Sequence, residues 1–216
     1  MKLDDMKKGI LTLAAFASVL VLASCGSEET VDEKVAPALE ICYYTYDDET
    51  SAMTWTAYKT TAKVDVGGTF NEITITGDKS SDDPKKLIES LSFSINTESV
   101  ETNDEGRNKK IASFFFGKMN EPATITGRVK SLDDNGKATL EVKMNGVSTD
   151  VVGEYTLVDG TFDFNATIDV AKWDALKALQ SLSEACREKH TGDDGILKTW
   201  SEVALTFSTQ LASDCN

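Results

Sequence analysis

The sequence has one histidine and three prolines in 216 residues. A nucleophile–base pair or a zinc site needs His, Cys and carboxylates converging, and a single imidazole supplies little of either. His190 lies four residues after Cys186, close enough to share a helix face, but two ligands do not make a metal site. No catalytic residue, metal or cofactor is therefore expected. Basic residues are also scarce: 22 Lys and Arg face 36 Asp and Glu, a net charge of −14 at pH 7. That balance argues against a nucleic-acid partner, because binding a phosphate backbone requires cations to displace counterions. It argues equally against adsorption to an anionic membrane face. No glycine-rich phosphate loop occurs. The acid pairs Asp47-Asp48, Asp82-Asp83, Asp133-Asp134 and Asp193-Asp194 fall at predicted turns, where solvation explains them better than acid–base work. The apolar run at residues 10–23 is short of the roughly 20 residues that span a bilayer.

Regular alternation organises the rest. Between residues 123 and 170, apolar side chains fall on every second position in four successive stretches. Ala123, Ile125 and Val129 mark the first stretch; Ala138, Leu140, Val142 and Met144 mark the second. Val147, Val151, Tyr155 and Leu157 mark the third, and Phe162, Phe164, Ala166, Ile168 and Val170 the fourth. A period of two with one apolar face is a half-buried strand. Asn135-Gly136, Asn145-Gly146 and Asp159-Gly160 separate the stretches, and such dipeptides suit type I′ hairpins, which need φ > 0 at both central residues. Four strands cannot bury that face alone, so further sheet is expected on either side.

At the N-terminus, residues 1–24 read as a targeting segment, with Lys2, Lys7 and Lys8 ahead of the apolar run. The run ends in Leu22-Ala23-Ser24-Cys25, which resembles a bacterial lipobox. That resemblance implies cleavage before Cys25 and lipidation of its sulfur and new amino group, anchoring the protein in a membrane without a spanning helix. Residues 25–41 then form a polar, acidic tether, and the folded domain is expected over 42–216. Ser27-Glu28-Glu29 resembles the acidic export signal of some Bacteroidota lipoproteins, so either a periplasm-facing or a cell-surface outer-membrane lipoprotein fits.

Outside the meander, strands are expected at about 52–60, 64–75, 91–95 and 203–211. Gly67-Gly68 lies inside the second, where paired glycines mean a bulge, a bend or close approach of another backbone. Residues 79–84 read as a polar turn and about 104–113 as a short helix. One long helix is expected over about 171–189, its stripe formed by Trp173, Leu176, Leu179, Leu182 and Cys186. The fold class is thus mainly β: eight antiparallel strands, closing into a lipocalin-like barrel, with one long helix before the last strand. An extracytoplasmic address permits a disulfide. If the first and last strands pair with Thr54 opposite Thr206, the same register brings Cys42 beside Cys215; Cys186 with Cys215 is the competing pair.

The stretch Ser94-Ile95-Asn96-Thr97-Glu98-Ser99-Val100-Glu101-Thr102-Asn103, followed by Arg107 and Phe115-Phe116, resembles the YceI-like family. Val66-x-Gly68-Thr69-Phe70, Pro122-Ala123-Thr124 and Lys143-x-Asn145-Gly146-Val147 agree with it in order and spacing, over residues 43–211. The resemblance implies a lipocalin-like barrel holding a polyisoprenoid in an elongated apolar cavity. It makes Trp55, Phe70, Phe93, Ile95, Phe115, Phe116, Leu140, Val142, Phe164, Ile168 and Phe207 the expected lipid-binding wall, with Arg107 near the mouth. The chain departs from the family where histidines are frequent. It has Tyr58-Lys59 in the first strand and Arg107-Asn108-Lys109-Lys110 in place of an Arg-Asp-His helix. On the residues alone core filling is the better account of the same aromatics, and it is the resemblance that turns the set toward a cavity wall. Two functions follow: a lipid-anchored carrier of an apolar ligand, or a surface lipoprotein with a filled core that contacts protein or glycan.

Overall fold

A computed structural model describes residues 40–216. The expected targeting segment, Cys25 and all but the last two residues of the expected tether lie outside the described residues. The chain begins with β1 (Cys42–Thr45), β2 (Ala52–Lys59), β3 (Val64–Phe70), β4 (Ile73–Thr76) and helix α1 (Pro84–Glu89). β5 (Ser92–Asn96), β6 (Val100–Glu101) and α2 (Glu105–Phe114) follow. Next come the meander β7 (Thr124–Leu132), β8 (Lys137–Met144), β9 (Val147–Val158) and β10 (Thr161–Asp169). Helices α3 (Leu176–Ala185) and α4 (Arg187–His190) precede β11 (Thr199–Gln210) and β12 (Ala212–Cys215).

Ten of the strands form one antiparallel curled sheet in the order β4-β5-β7-β8-β9-β10-β11-β2-β3-β6. β1 and β12 form a separate ribbon in which Cys42 lies opposite Cys215, and the two are joined as a disulfide. Thr54 pairs with Thr206, the register that brings those cysteines together. The count of eight strands is corrected, because two expected strands each break. The second divides into β3 and β4 at Asn71-Glu72, and the third continues through a turn at Thr97–Ser99 into β6. At that turn Asn96 Oδ1 accepts from Glu98 N (3.1 Å) and Ser99 Oγ donates to Asn96 O (2.7 Å). Such local side-chain bonds compete with a strand ladder. Backbone bonds Asn71 N to Ser99 O (2.9 Å) and Asn96 N to Glu72 O (3.0 Å) fasten the bend. Since β3 pairs with β6 and β4 with β5, the two ends of the strand order belong to the same bent stretches, and the sheet curls round an interior.

Two meander turns have the expected geometry: Asn145 and Gly146 have φ of 54° and 79°, Asp159 and Gly160 of 50° and 76°. The third differs. Gly136 alone has positive φ, at 76°, and Asp133 Oδ1 accepts from Asn135 N and Lys137 N (2.8 Å each), so a longer loop ends in a left-handed glycine.

The long helix is also corrected. The chain makes a 3₁₀ turn at Val170–Trp173, turns left-handed at Asp174 (φ 55°), then forms α3 and, after Cys186, the separate α4. The cause is Trp173, which is 1% exposed. Its indole Nε1 donates to Val142 O (3.0 Å), and its own carbonyl accepts from Asn145 Nδ2 (2.7 Å). Anchoring this ring in the sheet outweighs the helical periodicity of the segment, and Leu176, expected on the apolar stripe, is 53% exposed. Helix α1, absent from the expected elements, follows the polar turn and starts at its last residue. Asp83 caps it by accepting from Lys85 N (2.9 Å), and Pro84 starts it, leaving Leu87 and Ile88 fully inside.

Candidate functional site: an apolar cavity with a basic mouth

Strand alternation sends one face of every long strand inward, and helices treat the two ends of the interior differently. At the end formed by Ser92, Leu132, Val158 and Ala52, α1 plugs the opening, with Ile88 and Leu91 as the floor of the cavity. Glu89 Oε1 accepts from Leu132 N (2.7 Å) and ties the plug to the wall. At the other end, where Lys59 pairs with Thr199, α2 and α3 pack together beside an opening.

The interior is hollow. A cavity of about 420 Å³ runs between floor and mouth, inside the roughly 300–1,000 Å³ range of small-molecule sites. Its consequence shows in the wall. Ile73, Ile75, Phe93, Ile125, Leu140, Val142, Leu205 and Phe207 point inward yet are only partly buried, because they border space instead of other side chains. In a filled core of normal density these positions would be closed.

All twelve residues named from the sequence line this cavity. Trp55, Phe70, Phe93 and Ile95 come from β2, β3 and β5; Leu140 and Val142 from β8; Phe164, Ile168 and Phe207 from β10 and β11. Phe115 and Phe116 lie just beyond α2, edge to face with centroids 5.0 Å apart, and Phe116 also leans on Phe70 at 5.9 Å. Arg107, on the first turns of α2, stands at the mouth.

Three glycines shape the wall, and sequence reading gave weight to only one of them. A Cβ on Gly68 would fall 2.4 Å from the Trp55 ring and 2.6 Å from Glu101 O. One on Gly127 would meet Phe93 Cζ at 2.3 Å, and one on Gly153 would meet Phe164 Cε2 at 2.4 Å. Each ring therefore lies flat over a neighbouring strand instead of projecting into the cavity. A glycine on the inward face of a strand, one strand away from an aromatic, is the signal that could have found the other two.

The charged side chains of the lining, with His190, gather at the mouth: Lys59 from the end of β2, Asp104, Arg107 and Lys110 around α2, and Lys189 and His190 from α4. Asp104 caps α2 by accepting from Arg107 N (2.9 Å), and its carboxylate lies 3.7 Å from Arg107 Nη2. That backbone bond first, then the charges of Arg107 and Lys189, hold its carboxyl below the usual range. Asn108, where the family pattern has Asp, accepts on one oxygen from Thr102 N (2.9 Å) and Thr102 Oγ1 (2.6 Å). It fixes the approach to the helix and does not face the cavity. Thr199 Oγ1 donates its only hydrogen to Ser183 Oγ (2.9 Å), so at 2.7 Å it accepts from His190 Nδ1. Burial, followed by the charges of Lys59 and Lys110, pushes His190 down to about 4, so the ring is neutral at pH 7. Cys186 also lines the cavity, with a free thiol. Among the described residues no three His, Cys, Asp or Glu side chains are grouped to hold a metal ion. No helix among them is long and apolar enough to cross a membrane.

Two solved structures share this architecture. BcnA of Burkholderia cenocepacia is similar with a TM-score of 0.53 at 16% identity, over 77% of this chain and 99% of that one. A polyisoprenoid-binding domain from Saccharophagus degradans, implicated in plant cell wall breakdown, gives 0.55 at 14% identity, over 80% and 98%. Identities this low establish the fold alone. No curated protein matches. The model of the YceI-like domain matches residues 44–211, and the chain belongs to that family.

Proposed function

We propose that this protein binds and carries a long apolar molecule, an isoprenoid, in its cavity, and that it works outside the cytoplasm, held to the outer membrane by lipids on Cys25. The observation that carries the reading is the hollow, aromatic-lined interior, floored by Ile88 and Leu91 and bordered by cations at the opposite end. Each methylene moved from water into such a site is worth about 0.8 kcal/mol, so an isoprenoid tail needs few polar contacts to stay bound. The polyisoprenoid-binding domain of Saccharophagus degradans, of like fold, supports the choice of ligand. The partly exposed inward positions favour this function over a filled-core module that contacts protein or glycan.

Solvent extraction of the purified protein followed by mass spectrometry tests the proposal. The expected result is a polyisoprenoid in about one-to-one ratio with protein, and a polypeptide mass showing acylated Cys25 as the first residue. An empty extract from folded protein that takes up no added isoprenoid overturns the carrier reading. An unmodified Cys25 overturns the anchor.

A further inference from the structure

The mouth contradicts the charge of the molecule that carries it. On a chain of net charge −14, the residues lining the cavity include four cations and a single carboxylate. The carboxylate, Asp104, is already engaged as the cap of α2 and with Arg107. Among the described residues Lys59, Lys110 and Lys189 have no acidic group within ion-pair distance, whereas the wall lysines Lys130, Lys137 and Lys143 are each paired at 2.7–2.8 Å. Arg107 and Lys110 lie three apart on one face of α2, and Lys59 and Lys189 arrive from β2 and α4. Lysine stems alone could border an apolar rim. Charge is what needs explaining, because like charges gathered at one opening repel until an anion joins them.

We infer that the mouth receives an anionic head, a carboxylate or a phosphate, so that the ligand is an anionic amphiphile with its tail in the cavity and its head among Lys59, Arg107, Lys110 and Lys189. The inference rests on the carrier reading for the tail and adds the chemistry of the head. An uncharged chain would fill the cavity and leave the cations facing one another, and a cationic lipid would be repelled. His190 is consistent with this field: it stays neutral beside Lys59 and Lys110 and adds no charge of its own.

Three probes sharing one isoprenoid tail test the head: farnesol, farnesoate and farnesyl phosphate. Trp55, Trp173 and Trp200 all line the cavity, so quenching of intrinsic fluorescence reports binding to the full chain. Charge-assisted contacts at a partly exposed rim should make at least one anionic probe about tenfold tighter than farnesol. That advantage should fall in 0.5 M salt and vanish in the variant Lys59→Gln/Lys110→Gln/Lys189→Gln, whose far-UV circular dichroism and urea midpoint, matching wild type, establish that it is folded. A tighter phosphate identifies a phosphate ester as the natural class, and a tighter carboxylate identifies a fatty or isoprenoid acid. Equal affinity for all three overturns the anionic head while the carrier reading stands. If none binds, both fall.

Discussion

The two ends of the curled sheet are built from the same strands and serve opposite ends. The closed end carries the β1–β12 ribbon with its disulfide, the plug α1, and a hydrogen-bonded cluster in which Ser51 Oγ reaches Tyr46 Oη at 2.7 Å and Thr209 Oγ1 at 2.8 Å. Burial pushes the Tyr46 phenol up to about 12, against the opposing effect of its hydrogen bond with Ser51. Leu87 and Ile88 are at most 1% exposed there. The open end leaves Lys110 and Lys189 in solvent, and among the described residues its Lys59, Lys110 and Lys189 have no ion-pair partner. The disulfide and the plug lie where the ligand does not enter, and unpaired charge lies where it does. This is the division expected when a functional site keeps strain that the rest of the fold must offset.

Truncating the plug should break that division most severely. Leu87→Ala removes a fully enclosed side chain and leaves a void beside the floor of the cavity. A loss of about 2–5 kcal/mol is expected for such a change. Lys59→Gln at the opposite end should stay within about 0.5 kcal/mol, as for surface changes that break no contact. Urea denaturation of both variants checks the contrast. Equal losses would mean that the mouth also holds the fold together.

A smaller effect should separate cavity from fold. Gly127→Val places a branched side chain where even a Cβ would touch Phe93 at 2.3 Å and Glu141 O at 2.6 Å. The ring can swing off the wall into the cavity, while the Glu141 carbonyl, being backbone, must shift with its strand. Overpacking of this sort costs about 1–3 kcal/mol, so the domain should remain folded while uptake of an isoprenoid drops sharply. A Gly127→Val protein that keeps full uptake would show that the ring has room elsewhere and that the glycine does not set the cavity's width.

The sequence made some of this legible and concealed the rest for physical reasons. Alternation is a local property, so the inward faces of β7 to β10 could be read directly; that their aromatics border a cavity was implied only by the family resemblance, because a filled core shows the same pattern. The plug was hidden because α1 has only six residues, too few for a helical period, although Asp83-Pro84 is a recognisable cap and start. The break at Asp174 was hidden because it depends on Val142 and Asn145 holding Trp173, contacts made across 31 and 28 residues. The basic mouth was the least visible. Arg107 was named, but Lys59, Lys110 and Lys189 come from three elements that only folding brings to one opening.

The finest probe of the open end is His190, because it is the chain's single histidine and its ring resonances need no assignment among others. Its ordinary value of 6.5 is lowered to about 4, first by burial and then by Lys59 and Lys110. Protonation adds a hydrogen at Nε2 and leaves the Nδ1 bond to Thr199 intact, so the opposition comes from desolvation and charge, not from a broken bond. The unfolded ring takes its proton near 6.5 while the folded ring resists until about 4. The contribution of His190 to stability is therefore complete above pH 6.5 and is lost as pH falls toward 4. Wild type should lose stability relative to His190→Gln over that window, and urea midpoints at pH 7 and pH 5 measure the difference. Ligand should move the same resonance in opposite ways according to its head. Farnesyl phosphate supplies a negative charge that cancels Lys59 and Lys110 and should raise the titration midpoint, while farnesol adds burial without charge and should not. A midpoint that rises equally with both would place the head away from these lysines, and would make the mouth as indifferent to charge as the closed end.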